Sequence, residues 1–225
     1  MLTQAIGGLL PTAIGVALSP IPIVAVTLML ATPKGKVNGP AFAAGWVVGL
    51  VIVSVIVLVV ASGADKPNSG ASDSADTGKL VLGIVFLLMA LRQWRKRPRH
   101  GETPPMPKWM AAIDRFTPGR SFVLGAGLSG VNPKNLALTL AAAASIAQAG
   151  LSTADSAIAV AVFVVIGSLT VAGPVVFSLV AGERAAAPLA SVKEFMSEHN
   201  HVIMMVVLLV LGAKLVGDGW AGLGS

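Results

Sequence analysis

Asn132-Pro133-Lys134-Asn135 places a lysine, two amides and a helix-breaking proline inside an apolar stretch that runs over residues 121–150. That stretch is long enough to cross a bilayer core of about 30 Å. An ammonium group near the bilayer centre costs about 2.5–3.5 kcal/mol on insertion scales, so it usually faces protein or a wet cavity. Pro133 also removes a backbone donor and frees a carbonyl one turn back. The sequence therefore predicts an interrupted membrane helix. The alternative is a helix that ends near Val131, with Lys134 reaching to the interface.

Composition sets the class of the whole chain. Of its 225 residues, 55% are hydrophobic and 12% are charged, and the mean hydropathy is +0.82. These values predict an all-α integral membrane protein with a single membrane domain, residues 1–225. The absence of cysteine excludes disulfides, thiolate metal sites and thiol redox chemistry. The formal charge of +6 comes from basic residues between apolar segments, which indicates topology anchors and no nucleic-acid partner.

The first apolar segment, residues 2–31, is also interrupted. Its centre carries Ser19, Pro20 and Pro22, and two prolines one residue apart prevent a regular helix. We expect the segment to be retained, because it lacks the charged start of a signal peptide and is too long for one. Backbone groups freed in hydrocarbon need protein or cavity partners, and Ser19 and Thr12 are nearby candidates.

Four further apolar segments are predicted to cross the membrane, which gives six transmembrane helices with the first and fourth interrupted. The four are residues 40–61, 79–94, 156–181 and 201–216. The connections at 62–78 and 183–198 are predicted to be loops. Small residues and a proline in the second and fifth segments suit close helix packing or a hinge: Gly45, Gly49, Gly167, Gly173 and Pro174.

Basic residues crowd the connection at 92–120, which contains eight of them against Glu102 and Asp114: Arg92, Arg95, Lys96, Arg97, Arg99, Lys108, Arg115 and Arg120. Such density marks the cytoplasmic side of the membrane. Lysines and arginines at 34–36 and 184–193 agree, so both termini are predicted outside. An alternative interpretation is that the loop binds anionic lipid head groups.

The two halves of the chain resemble each other around the breaks. Residues 15–19 and 125–129 match at Gly, Leu and Ser, and a proline break follows each. With three spans per half, equivalent helices run in opposite directions, which predicts inverted repeats at 1–94 and 121–225 joined by a cytoplasmic loop at 95–120. Paired interrupted helices point to a transport site near the midplane. The predicted substrate-binding residues are Ser19, Pro20, Pro22, Asn132, Pro133, Lys134 and Asn135.

These features resemble the LysE exporter superfamily over essentially the whole chain. The resemblance is carried by the six-span layout, Ser19-Pro20-Ile21-Pro22, the Ala31-Thr32-Pro33-Lys34 turn, the stretch 39–49 and Asn132-Pro133-Lys134. Within it, the chain is most similar to the mycobacterial GAP family of peptidoglycolipid- or sulfolipid-addressing proteins. The resemblance implies an actinobacterial plasma-membrane protein that helps deliver a glycolipid to the cell envelope, beside a larger lipid exporter.

The leading interpretation is an exporter or flippase-like carrier. Lys134 would attract the anionic head group of a glycolipid or lipopeptide, and Asn132 and Asn135 would donate hydrogen bonds. One alternative is a non-transporting adaptor that docks a lipid synthase or exporter through the basic loop and an interfacial helix at 107–116. The other is a LysE-type exporter of small amino compounds, because the motif does not separate these substrates from lipids.

Enzymatic and metal chemistry are not expected. The sequence offers no Ser/His/Asp arrangement, and His199 and His201 beside a membrane boundary are interpreted as interfacial residues, with no metal and no cofactor. No carboxylate lies inside a predicted span, so a buried carboxylate relay for protons is excluded, and proton coupling stays open. Membrane lipids are expected partners, and small-residue faces permit a homodimer without requiring one.

Overall fold

The computed structural model describes residues 1–63, 70–95 and 108–223, and this part of the chain is helical without a β-strand. Short 3-10 helices at Lys108–Arg115 and Gly182–Ala185 precede α5 and α8. The α-helices of the described part are α1 (Leu2–Ala17), α2 (Pro20–Leu30), α3 (Gly35–Gly63), α4 (Gly70–Arg95), α5 (Pro118–Gly130), α6 (Pro133–Gln148), α7 (Thr153–Ala181), α8 (Ala186–Glu198) and α9 (Asn200–Leu223).

Several helices are long and apolar enough to cross a membrane. Within the described residues these are α3, the Asp76–Arg95 part of α4, α7 continuing into α8, and α9. Helices α1 and α2 meet at 52° and form a fifth span if the bent pair crosses as one. The segment predicted as the fourth span consists of two helices of 13 and 16 residues, α5 and α6, each shorter than a crossing. Within the described residues the chain is therefore all-helical with four to five candidate spans, which is consistent with a multi-pass membrane protein.

Helices α3 and α5 lie side by side and run in the same direction. Gly45 of α3 faces Phe122 of α5, and Gly49, one turn later, faces Ala126. A Cβ atom on Gly45 would overlap the carbonyl oxygen of Phe122, and one on Gly49 would lie 2.8 Å from the carbonyl oxygen of Ala126. The two backbones thus touch directly, which only residues without a side chain permit.

Helices α4 and α9 form a second pair, which is antiparallel. Gly83 of α4 lies against Val216, and Gly219 of α9 lies against Leu80. At the far end of the pair, the His201 imidazole and the Gln93 side chain are 3.0 Å apart and hydrogen-bonded. The pair therefore stays in register from one end of the bundle to the other.

Large aromatic side chains are buried where α1, α3, α6 and α7 meet. Trp46, Phe42 and Phe163 are fully buried there, and the Trp46 indole donates a hydrogen bond of 3.3 Å to the Gly167 carbonyl. Burying three large aromatic side chains supplies much of the packing energy of such a centre. Gly167 also lies against Val16 in the last turn of α1, so this core adjoins the first helix break.

Contacts bring the basic connections to one end of the bundle. The Asn38 amide donates to the Phe116 carbonyl at 3.0 Å, α2 packs against α8, and Gln93 binds His201. We call the region formed by residues 32–38, 92–95, 113–120 and 182–201 the basic end. The opposite end holds the start of α1 beside the ends of α6 and α9.

Two predicted loops are partly helical, which corrects the sequence-based boundaries. Helix α4 begins at Gly70, inside the loop predicted at 62–78, and Lys79 pairs with Asp76 one turn earlier at 2.7 Å. Helix α8 occupies most of the loop predicted at 183–198, because its alanines favour helix and Leu189 packs inward. The predicted interfacial helix at 107–116 is a 3-10 helix with Ile113 buried. Residues 96–107 of the basic loop lie outside the described part.

Candidate functional site

The first break separates α1 from α2 at Leu18 and Ser19. Ser19 has an extended backbone, with φ −106° and ψ 101°, and Pro20 is the first residue of α2. A proline fits this position because the first amide of a helix has no partner within the helix. Pro22 is buried in the first turn of α2. The sequence therefore ends one helix and starts another at an angle of 52°.

The second break has the same design. Asn132 is extended, with φ −60° and ψ 120°, and its side-chain oxygen accepts a 3.1 Å hydrogen bond from the Lys134 backbone amide. Pro133 is the first residue of α6. Asn132 thus caps the new helix, which is the common role of an asparagine before a helix start. The chain does end a helix near Val131, as the alternative interpretation stated, but a second helix follows at once.

Lys134 joins the two breaks. Its side-chain ammonium donates to the Gly15 carbonyl at 2.8 Å and to the Leu18 carbonyl at 3.3 Å. Both carbonyls belong to the last turn of α1 and its cap, where a helix leaves its acceptors unpaired. Lys134 is only 4% exposed, so it does not extend to an interface. A cation at a helix C-terminus is also favoured by the helix dipole.

Asn135 makes a second bridge between the breaks. It is fully buried; its amide nitrogen donates to the Leu128 carbonyl near the end of α5 at 3.0 Å, and its oxygen lies 2.8 Å from the Ser19 hydroxyl. The same hydroxyl is 2.7 Å from the Val16 carbonyl, so one hydrogen has two acceptors within reach. The first turn of α6 therefore caps the ends of both α1 and α5.

Thr170 of α7 completes this arrangement and was not found by sequence reasoning. Its hydroxyl donates to the Ala17 carbonyl at 2.6 Å. The acceptors exposed by the break in α1 thus receive donors from Lys134, Ser19 and Thr170. Thr12, which was also a candidate donor, bonds to Leu9 within its own helix. A single threonine in the apolar run of α7 was the only sequence signal for this contact.

Thr170→Val is expected to lower the free energy of unfolding by about 1 kcal/mol, because one hydroxyl donor is lost. The loss stays small since the Ala17 carbonyl also accepts a 2.9 Å hydrogen bond from the Ser19 amide. Thermal unfolding of the purified protein in detergent measures the change. An unfolded variant would show that the α1 end depends on Thr170 far more than this geometry indicates.

The electrostatics of the site come from helix ends. The C-termini of α1 and α5 and the N-termini of α2 and α6 meet around Lys134 and Asn135, and each end carries about half an elementary charge. Within the described ranges, no carboxylate lies within ion-pair distance of Lys134. The ammonium is instead bound by two backbone carbonyls, which are weaker partners than a charged oxygen.

The other predicted residues lie at different places. Gly45 and Gly49 are in the contact between α3 and α5, and Gly167 lies against Val16 and Leu50 in the core. A Cβ on Gly173 would meet nothing within 4 Å, and Pro174 lies inside α7.

The two histidines point to different partners. His199 stacks on Phe195, and His201 binds Gln93. Neither ring is turned toward a shared ligand by these contacts.

Among the cavities in the described part of the chain, two that lie away from the breaks have a pair of lysines in the wall. One, of about 240 Å³, is near the opposite end between α1, α4, α6 and α9, and its wall includes Lys79 and Lys214. The other, of about 480 Å³, is at the basic end between α2, the end of α7 and α8, and its wall includes Lys36 and Lys193. The two differ in ion pairing, since Lys79 and Lys214 are paired with Asp76 and Asp218.

The family model described as Sap, sulfolipid-1-addressing protein, matches residues 9–221. No curated protein and no solved structure is significantly similar to the chain. The matched range includes both breaks and all but the ends of the chain. The chain therefore belongs to the sulfolipid-1-addressing protein (Sap) family.

Proposed function

We propose that the chain is an exporter that helps move an anionic glycolipid or peptidoglycolipid across the plasma membrane to the cell envelope. The observation that carries the proposal is the buried ammonium of Lys134, which binds the interrupted end of α1 from the interrupted start of α6. The family description supports a lipid cargo, because it names the addressing of a sulfolipid. The role is binding and transport, without bond chemistry.

The transport architecture that we propose has six spans in two inverted three-helix halves, as in the LysE superfamily. Support comes from the matching breaks, each with a polar residue followed by proline at the start of the second half-helix. Further support comes from the directions in which the paired helices run. α5 starts at the basic end, and α6 finishes beside Gln4 at the opposite end, so that the two short helices together traverse the bundle. α1 and α2 traverse it the other way.

The orientation follows from the charges. The basic end collects Lys34, Lys36, Arg115, Arg120 and Arg184, and positive charge favours the cytoplasmic side. We therefore place the basic end in the cytoplasm and both termini outside.

Head-group binding would act on the contact between the breaks. A sulfate or carboxylate oxygen is a stronger acceptor for an ammonium than a neutral carbonyl, so an anionic head group competes with Gly15 and Leu18 for Lys134. Once Lys134 turns to the lipid, the end of α1 loses its ammonium donor and the two breaks can move apart. The substrate thereby releases the contact that joins the two breaks.

The proposal is tested by comparing surface-extractable and cell-associated glycolipids in cells with and without the gene. Loss of the protein is expected to keep an anionic glycolipid inside, and wild-type protein restores its delivery. Reconstituted vesicles loaded with fluorescent anionic or zwitterionic lipid then show whether the protein alone moves the lipid between leaflets. If lipid distribution never changes and small amino compounds accumulate in the cells instead, the LysE-type exporter of small compounds replaces this proposal.

A second candidate is the non-transporting adaptor, which the concentration of basic residues at one end favours. Replacing Arg95, Lys96, Arg97 and Arg99 with glutamine separates the two functions. An adaptor loses its larger partner exporter or synthase in co-purification and no longer supports delivery, whereas a carrier keeps its lipid binding and its vesicle activity.

A further inference from the structure

We infer that the cavity at the basic end is a loading site for the sulfate or phosphate-ester head group of a membrane lipid. The inference rests on the proposed function and adds a second site, distinct from Lys134. The cavity of about 480 Å³ is within the size range of ligand sites in proteins. Its two lysines come from different elements: Lys36 from the start of α3 and Lys193 from α8.

The charge balance of the cavity favours an anion. In the described part of the chain neither Lys36 nor Lys193 forms an ion pair, and Glu183 is the one acidic residue among those that line the cavity. The wall therefore carries one more positive than negative charge. The smaller cavity at the opposite end differs, because both of its lysines are already paired with aspartates. An anion is therefore expected to bind more strongly in the cavity at the basic end.

The surroundings favour a lipid over a soluble anion. Leu28, Leu30 and Leu189 form an apolar part of the wall, and Ser178 and Thr32 supply hydroxyl groups. On the faces of α7 to either side of Ser178, Phe177 is 42% and Leu179 is 52% exposed. Because exposed apolar side chains of a membrane helix face acyl chains, a lipid would place its head group between the lysines and its chains along α7.

The cavity is linked to the central site by α2. This helix begins at Pro20 in the first break, and Thr27, Leu28 and Leu30 of its last turn line the cavity. Eleven residues at 1.5 Å each make α2 about 16 Å long, roughly half the thickness of the hydrocarbon core. A head group bound in the cavity therefore lies about half the thickness of the hydrocarbon core away from Lys134, at the end that we place in the cytoplasm.

The test is lipid retention by the purified protein in native mass spectrometry, with phosphatidylglycerol and phosphatidylcholine offered at equal concentration. Wild type is expected to prefer phosphatidylglycerol, and the double variant Lys36→Gln/Lys193→Gln to lose about tenfold in apparent affinity for it. Lys34→Gln is the matched control, because Lys34 is exposed two residues from Lys36 and does not line the cavity. The control is expected to behave as wild type.

Three results would overturn the loading site: an unchanged preference in the double variant, an equal loss in Lys34→Gln, or displacement of the lipid by equimolar inorganic sulfate. The last would show a site for free anions. Each variant is first checked for its wild-type melting temperature in detergent. Lipid retention is measured without transport, so loss of the loading site in this assay would not contradict the proposed export. If instead the export assay fails while lipid retention is intact, the proposed function is wrong and the lipid-binding site in the cavity stands.

Discussion

Lys134→Met is expected to reduce surface delivery of the lipid to the level of cells without the protein, while the protein stays folded in the membrane. Methionine has nearly the length and volume of lysine but lacks its charge and donors. Two effects on stability oppose each other. The Gly15 and Leu18 carbonyls lose their donor, at about 1–3 kcal/mol for each buried group left unpaired. In return, the protein no longer inserts an ammonium, which costs about 2.5–3.5 kcal/mol.

The two carbonyls together cost about 2–6 kcal/mol, so the net change in unfolding free energy is expected to lie between a gain of about 1.5 and a loss of about 3.5 kcal/mol. If the variant protein is present and folded, loss of lipid delivery would then be caused by the loss of the positive charge and not by unfolding. The measurements are the ratio of surface-extractable to cell-associated glycolipid, and the amount and melting temperature of the protein from the same cells.

Two further variants separate the charge of Lys134 from its capping role. Lys134→Gln keeps amide donors for the α1 end without the charge, and Thr170→Val removes a donor from the same helix end while leaving the charge. If the charge carries transport, Lys134→Gln fails and Thr170→Val delivers lipid normally. Normal delivery by Lys134→Met would contradict the assignment of Lys134 as the substrate site and would favour the adaptor function over the exporter.

The break around Asn132 could be predicted from sequence because its signals are local. An asparagine followed by proline starts a helix, and a lysine in an apolar run needs a special environment wherever it lies. The same holds for Ser19 and Pro20. For these positions, a few neighbouring residues determine the structure.

The partners of Lys134 could not be predicted in the same way. They are the carbonyls of Gly15 and Leu18, and a backbone acceptor leaves no mark on the side-chain pattern. Thr170 was missed for the same reason, since its acceptor is also a carbonyl on a distant helix. The helical start of α4 and helix α8 were predicted as loops because their sequences are rich in polar residues. Tertiary packing and local side-chain pairing stabilise a helix there, and the sequence pattern does not indicate either contribution.

Gly45→Ala is expected to destabilise the protein by about 3 kcal/mol or more, the largest stability effect that we predict for a single methyl group. The new Cβ would overlap the carbonyl oxygen of Phe122, and a backbone atom cannot move aside as a flexible side chain can. Helices α3 and α5 would have to separate along their whole contact, which includes Gly49 and Gly125. Overpacking of well-packed sites costs about 1–3 kcal/mol when side chains can adjust, so a clash with the backbone lies at or above the top of that range.

Gly217→Ala is the matched control, because the same change is made inside α9, where the new Cβ meets nothing within 4 Å. Alanine favours helix over glycine by about 0.5–1 kcal/mol, so this variant is expected to be slightly stabilised. Thermal unfolding in detergent should therefore shift in opposite directions for the two variants. Equal melting temperatures would mean that α3 and α5 do not touch as closely as described. A selective loss of stability in Gly45→Ala would instead place the rigid contact of the bundle between the α3 helix of the first half and the α5 helix that leads into the second break.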